Sequence, residues 1–314
     1  MATFPLFVST KSTILPRTSY NEGQPELFPK VPDYHKPNKP LVPTGLGVFY
    51  VMASAIYLFL LHLFFEAGGV NKALTLAVCI LFGGFMGLLD DWMDLRWRYK
   101  AFFPLIAAIP LAALAYKLHV RTAITLPFIG CVDLGIYNIY YAVVIPLIVT
   151  VTTNTVNQLG GLNGLETVCP AIVLVGLMAV SGFNAILLTV PLAVWLTLAF
   201  FNFQGKIFVG NTGSFAIGIT LAAFAIIADL KWCLLISILP YIFNSSLILL
   251  NYFFFGAKAT VHFDGVKLVS DHRRSLVTLI TYKRPMTERQ VVVIVSLLVT
   301  ASTLTAVAVQ QFMI

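Results

Sequence analysis

Charge-free apolar runs follow one another along most of the chain, at 46–65, 73–89, 101–116, 134–165, 167–205, 207–228, 232–257 and 290–314, with polar residues only at their edges. A helix crossing the hydrocarbon core needs about 20 apolar residues, with about 17 as the lower limit. The run 167–205 therefore holds two helices, turned at Ser181-Gly182-Phe183-Asn184. The run 101–116 extends through Leu118, because Lys117 can carry its charge to the interface. The pattern predicts an all-α polytopic membrane protein of about nine spans, at 46–65, 73–89, 101–118, 137–156, 166–181, 184–203, 213–228, 232–252 and 291–312. Alternation returns only in short stretches. Residues 125–133 read as a small β-hairpin in a connection, and Val261 to Val269, alternating about Asp264-Gly265, read as a second hairpin in the last long loop.

Composition excludes a soluble domain: 59% of residues are apolar and 11% charged, against about 25% charged in a globular chain. With nine spans, the connections fall into two alternating sets. Of the 20 lysines and arginines, only Lys72, Lys117, Arg121 and Lys231 fall in one set. The other set, 1–45, 90–100, 157–166, 204–212 and 253–290, is expected to face the cytosol. The formal charge of +7 is thus one basic face suited to phosphates and anionic headgroups, with no call for nucleic acid. Cys79, Cys131, Cys169 and Cys233 show no zinc-ligand spacing. Residues 1–32 read as a disordered or targeting-like tail and 33–314 as one membrane-embedded domain.

Candidate chemistry gathers on the basic side. Asp90, Asp91 and Asp94 stand where a span leaves the membrane, followed by Arg96, Arg98 and Lys100. Adjacent carboxylates there repel unless a positive group, a metal ion or a cationic substrate, lies between them. Lys36 and Lys39 sit among three prolines that forbid a helix, so they are displayed on an extended segment and form a candidate phosphate clamp. Asn154 and Asn157, at i,i+3, share a helix face, and buried amides need partners. The glycines at 160, 161 and 164 let a flat or phosphorylated ligand approach the backbone. Thr212 or Ser214 is the expected cap of the next helix, whose N-terminus favours phosphate. His272-Arg273-Arg274 is a cluster able to make bidentate phosphate contacts.

Taken together these loops resemble the polyprenyl-phosphate N-acetylhexosamine-1-phosphate transferase family. The match rests on Asp90-Asp91-x-x-Asp94, Asn154-x-x-Asn157 with Gly161-Leu162-Asn163-Gly164-Leu165-Glu166, Phe208-Val209-Gly210-Asn211-Thr212-Gly213, the Lys-Pro segment, and His272-Arg273. The details look closest to the eukaryotic and archaeal branch that uses dolichyl phosphate. The resemblance implies a donor UDP-GlcNAc, a polyprenyl or dolichyl phosphate acceptor and Mg²⁺, or Mn²⁺, as cofactor. It also implies an endoplasmic reticulum location in a eukaryote or a plasma membrane location in an archaeon, and it leaves a homodimer open. Carried over by position, Asp90, Asp91 and Lys100 become catalytic, and Asn157 and Asn211 metal ligands. Lys36, Asn154, Gly161, Asn163, Glu166, Phe208, His272, Arg273 and Arg274 become substrate contacts. Two departures stand out. The family usually carries a span before the Lys-Pro segment, making ten, whereas residues 1–32 form none. Asn211 occupies the place of the family's metal-binding Asp, and an amide coordinates Mg²⁺ without supplying charge. A catalytically impaired paralogue that binds UDP-sugar or lipid phosphate is therefore an alternative, and a transporter a remote one.

Overall fold

The computed structural model describes residues 27–65, 72–126, 130–133 and 138–313. Most of the stretch read as a tail, 1–26, lies outside the described residues. The chain is an integral membrane protein built almost wholly of helices. After a short ribbon of β1 (Lys30–Pro32) and β2 (Leu41–Pro43) come α1 (Gly47–Phe65), α2 (Lys72–Met93), α3 (Trp97–Phe102) and α4 (Pro104–Lys117). The hairpin expected near 125–133 is present as β3 (Ala123–Leu126) paired with β4 (Gly130–Asp133). Then follow α5 (Ile145–Leu159), α6 (Leu165–Val180), α7 (Thr189–Phe203), α8 (Gly210–Ile227), α9 (Lys231–Ser237) and α10 (Leu239–Phe255). The second expected hairpin, β5 (His262–Phe263) with β6 (Leu268–Val269), precedes α11 (Leu276–Ile280) and α12 (Glu288–Met313).

Every predicted span has a helix at its place. Seven stretches among the described residues are long and apolar enough to cross a bilayer. α9 and α10 make an eighth pass bent by 57°, where Pro240 in the first turn of α10 supplies no N–H to the helix ladder. α6, at 16 residues, is the short member.

The bundle is organised around α8, in which every residue from Thr212 to Ile227 is buried. Small residues let its neighbours approach. A Cβ on Gly83 would stand 3.1 Å from the Ala216 Cα, one on Gly218 would stand 2.8 Å from the Thr153 Cα, and one on Gly47 would stand 2.3 Å from the Gly213 Cα. α2, α5 and α1 thus meet α8 almost backbone to backbone, the packing that small residues permit in membranes. Some buried polar groups pair across the bundle. Tyr50 donates to Thr220 Oγ1 at 2.8 Å and packs edge-on against Trp195, whose Nε1 donates to the Thr167 carbonyl at 2.9 Å.

Candidate active site

The ends of α2, α5 and α8 bring five predicted residues to one boundary. α2 continues through the acidic doublet to Met93, so Asp90 and Asp91 are helical. Successive helical residues diverge by about 100°. The two carboxylates therefore point to different partners, and the Lys100 ammonium supplies a positive charge at Asp90. Asp90 turns to Lys100, which it meets at 2.7 Å with both groups buried, and its Oδ1 also accepts from the Leu95 N–H at 3.0 Å. Its Oδ2 is buried with no hydrogen-bond partner. Asp94 lies 3.9 Å from the same ammonium and is mostly exposed.

Asp91 turns the other way. Its carboxylate accepts from the N–H of Asn211 at 2.8 Å and from the N–H and hydroxyl of Thr212 at 2.9 and 2.8 Å. This corrects the reading of Thr212 or Ser214 as the cap: α8 begins at Gly210, no side chain of its own caps it, and both hydroxyls lie inside the helix. The acceptor comes from α2, which only tertiary packing could reveal. The anion at this N-terminus is the chain's own carboxylate. Close approach makes it possible, since a Cβ on Gly87 would fall 2.2 Å from the Asn211 carbonyl oxygen.

Asn157 completes the group. Its Nδ2 donates to Asn211 Oδ1 at 3.1 Å and to Ser214 Oγ at 2.7 Å. Both N–H bonds are thereby used within the protein, and Oδ1 is the atom it has to offer a ligand. Asn154 behaves differently. It donates to the Thr150 carbonyl of its own helix at 2.9 Å, so the two amides of that face do not act as a pair.

A second cluster is built by loops. Asn163 donates through its backbone N–H and its side chain to Glu288 at 2.7 and 2.9 Å, and through Nδ2 to Asp33 at 2.8 Å. Lys36 pairs with Asp33 at 3.2 Å. Glu166 accepts from Asn202 Nδ2 at 3.1 Å. Asn202 is fully buried, accepts from Gly164 N–H and the Thr167 hydroxyl, and donates to the Ile207 carbonyl. Gly161 is exposed at the tip of this loop with φ +110, a conformation that side chains rarely adopt. Phe208 lies on a strand-like stretch whose backbone bonds Pro43 and Leu46.

The last loop holds the third cluster. His272 Nε2 lies 3.2 Å from the Thr260 N–H, and burial together with the nearby Arg274 holds its imidazole below the usual pKa. Arg273 stacks over the Tyr282 ring at 4.1 Å, and Arg274 donates to the Lys258 carbonyl at 2.9 Å. A cleft joins the loops: His35, Gly160, Gly161, Asn244, Val261 and Ser275 are among the residues that line it.

Sequence reasoning missed Asp33, Asn202 and Glu288. Asn202 could have been found, because an amide inside an apolar run demands partners, as Asn157 does. Asp33 and Glu288 sit at element edges where a solvated charge is ordinary, so nothing local marks them.

The fold and site define a class: an integral membrane protein with carboxylates, amides and a buried lysine at one membrane boundary. Residues 73–229, half of the chain, match the family model described as glycosyl transferase family 4, and the chain belongs to this family. Two archaeal relatives, from Saccharolobus solfataricus and Sulfolobus acidocaldarius, are provisionally named UDP-N-acetylglucosamine–dolichyl-phosphate N-acetylglucosaminephosphotransferase. They are 32% and 31% identical over 67% and 74% of this chain, and the matches span 66% and 70% of their own lengths. The Saccharomyces cerevisiae protein of that name is 27% identical over 74% of this chain and 62% of its own.

Proposed function

We propose that the chain transfers GlcNAc-1-phosphate from UDP-GlcNAc to a polyprenyl or dolichyl phosphate in the membrane, releasing UMP and forming lipid-diphosphate-GlcNAc. This would be the first step of lipid-linked oligosaccharide synthesis, with the basic face in the cytosol and, in a eukaryote, in the endoplasmic reticulum membrane. The observation that carries the reading is the convergence of Asp90–Lys100 and Asp91–Asn211–Asn157, from the ends of α2, α5 and α8 and from the short α3. The names of the archaeal and yeast relatives support the substrates.

The acceptor phosphate, with a second pKa of about 6, is largely a dianion at neutral pH and needs no strong base. Its oxygen attacks the β-phosphorus of the donor, and a new P–O bond forms. The bond from that phosphorus to the oxygen of UMP breaks, and the electron pair leaves with UMP. The task of the protein is to hold two anions together, as in phosphoryl transfer generally. Lys100, held by Asp90, receives the lipid phosphate at the membrane boundary. Asp91 fixes the backbone that presents Asn211. Gly161 and Phe208 border the base, and Lys36 and Arg273 supply cationic contacts.

Mg²⁺, or Mn²⁺, is the cofactor of this reading, and when bound it would supply charge neutralisation of the diphosphate. Asn157 and Asn211 would hold it through hard amide oxygens. Among the described residues no three His, Cys, Asp or Glu side chains group as a metal site. This donor set fits a cation that arrives with the diphosphate.

The test is UMP release from UDP-GlcNAc and a polyprenyl phosphate by the purified chain in lipid, with Mg²⁺ or EDTA, beside Asn211→Asp. Metal-dependent release by the unaltered chain is expected, with Mn²⁺ binding, read by electron paramagnetic resonance, strengthened by UDP. UDP-GlcNAc binding by the unaltered chain without UMP release would instead indicate a nucleotide-binding paralogue.

A further inference from the structure

Asn163 is held as a brace. A primary amide has two N–H donors and one carbonyl oxygen. Its Nδ2 meets two carboxylates, Glu288 Oε1 at 2.9 Å and Asp33 Oδ2 at 2.8 Å. Carboxylates accept only, so the amide can point just one way, and its Oδ1 turns inward, where it is buried without a hydrogen-bond partner. A Cβ on Gly205 would stand 3.5 Å from that oxygen and overlap Lys36 Nζ. Both hydrogens of Nδ2 and the backbone N–H of Asn163 are thus engaged within the protein, and Oδ1 is its one polar side-chain atom without a partner. What the residue does is join three distant segments: the turn after β1 through Asp33, the α5–α6 loop, and the start of α12 through Glu288.

Glu288 is the strongest tie. The same Oε1 also takes the backbone N–H of Asn163 at 2.7 Å, so it fixes both the side chain and the main chain of the loop. Its carboxylate opens α12, where a negative charge is favoured by the helix dipole. Two residues before Asn163 the loop exposes Gly161, and through Asp33 the same network holds Lys36 at 3.2 Å.

We infer that Glu288 is a positioning residue for the sugar nucleotide: through Asn163 and Asp33 it holds the Gly161 loop and Lys36 in their binding arrangement. The inference rests on the transferase reading and adds to it a residue that does not touch substrate. Reach, rather than charge, is what the geometry demands. Gln at 288 keeps an oxygen at the same distance, whereas Asp keeps the charge but is one methylene too short.

The experiment is steady-state UMP release with UDP-GlcNAc varied, on the full chain in lipid, for the unaltered protein and for Glu288→Ala, Glu288→Asp and Glu288→Gln. UDP-GlcNAc binding and heat unfolding without nucleotide are measured in parallel. Expected are a KM raised on the order of tenfold for Ala and Asp, a kcat within about twofold, and a KM within about threefold for Gln. If Ala does not fold, the Asp and Gln variants still separate reach from charge. A KM for Asp equal to that of the unaltered chain, or a loss for Gln larger than for Asp, would overturn the inference, as would a fall in kcat at constant KM. Absence of UMP release from the unaltered chain would overturn the transferase reading instead, and the binding titration alone would then decide whether Glu288 orders the nucleotide site.

Discussion

The helix-end cluster and the last-loop cluster hold comparable numbers of charged and polar groups but stabilise them in opposite ways. Asp91, Asn157 and Asn211 take partners across helices that touch backbone to backbone, and Asp90 forms a buried pair with Lys100 ten residues on. His272, Arg273 and Arg274 take theirs from within their own loop, at Thr260, Tyr282 and Lys258. Damage to the first cluster should therefore lower stability and turnover together. Damage to the second should change substrate handling and leave the fold nearly untouched.

The largest effect is expected from Lys100→Met. Asp90 is left as a buried charge without its cation, a loss of about 3–5 kcal/mol, so both the apparent Tm in lipid and UMP release should collapse. Lys100→Met combined with Asp90→Asn should recover most of the Tm and none of the turnover. Recovery of both would show that the pair is structural only.

Next comes Asp91→Ala, which strips the start of α8 of one acceptor for three donors. A loss of about 1–3 kcal/mol is expected, with Asp91→Asn intermediate. An unchanged Tm would break the view of Asp91 as the cap of α8. Smaller still is Arg273→Ala. The ring contact on Tyr282 is worth about 0.5–1 kcal/mol, so Tm should hardly move while the KM for UDP-GlcNAc rises. A large fall in Tm would erase the contrast between the two clusters.

The smallest effect concerns pH. Burial, opposed in part by Asp33, holds the His35 imidazole below its ordinary pKa, as burial and Arg274 do for His272. A depressed imidazole favours the neutral form in the folded protein. Its contribution is complete above the unfolded value of about 6.5 and is lost as the pH falls below it, where the unfolded chain binds the proton first. Between pH 8 and 5 the Tm of the unaltered chain should fall, below about 6.5, relative to that of the His35→Asn, His272→Asn double variant, in which this contribution is absent. A profile equally steep in the double variant would assign the acid sensitivity to other groups.

The same contrast explains what could be read in advance. Spans were legible because hydrophobic runs count out bilayer thickness, and the two hairpins because alternation and turn residues are local. Asp90, Asp91 and Asn157 are marked in the sequence because polar groups at the end of an apolar helix need partners, whereas Lys100 and Asn211 are marked by their place in the family resemblance. The double role of the acidic pair was hidden: spacing alone shows that Asp90 and Asp91 diverge, but only the fold shows that one meets Lys100 and the other the first turn of α8. Asp33 and Glu288 were hidden for a different reason. Each is a charge at the edge of an element, and each meets Asn163 from more than a hundred positions away in the chain.

α8, buried from Thr212 onward and capped from α2, has a further consequence for how the molecule moves. Its peptide hydrogens should be among the slowest in the chain to exchange with deuterium, because releasing them requires the helices around it to separate. Asp90, Asp91, Asn157 and Asn211 ride on that stiff assembly, so a ligand that reaches them has to be admitted by other parts of the chain. The turn at 33–39 and the glycine loop at 160–164 are tied through Asn163 to the start of α12, so they would have to move as one unit.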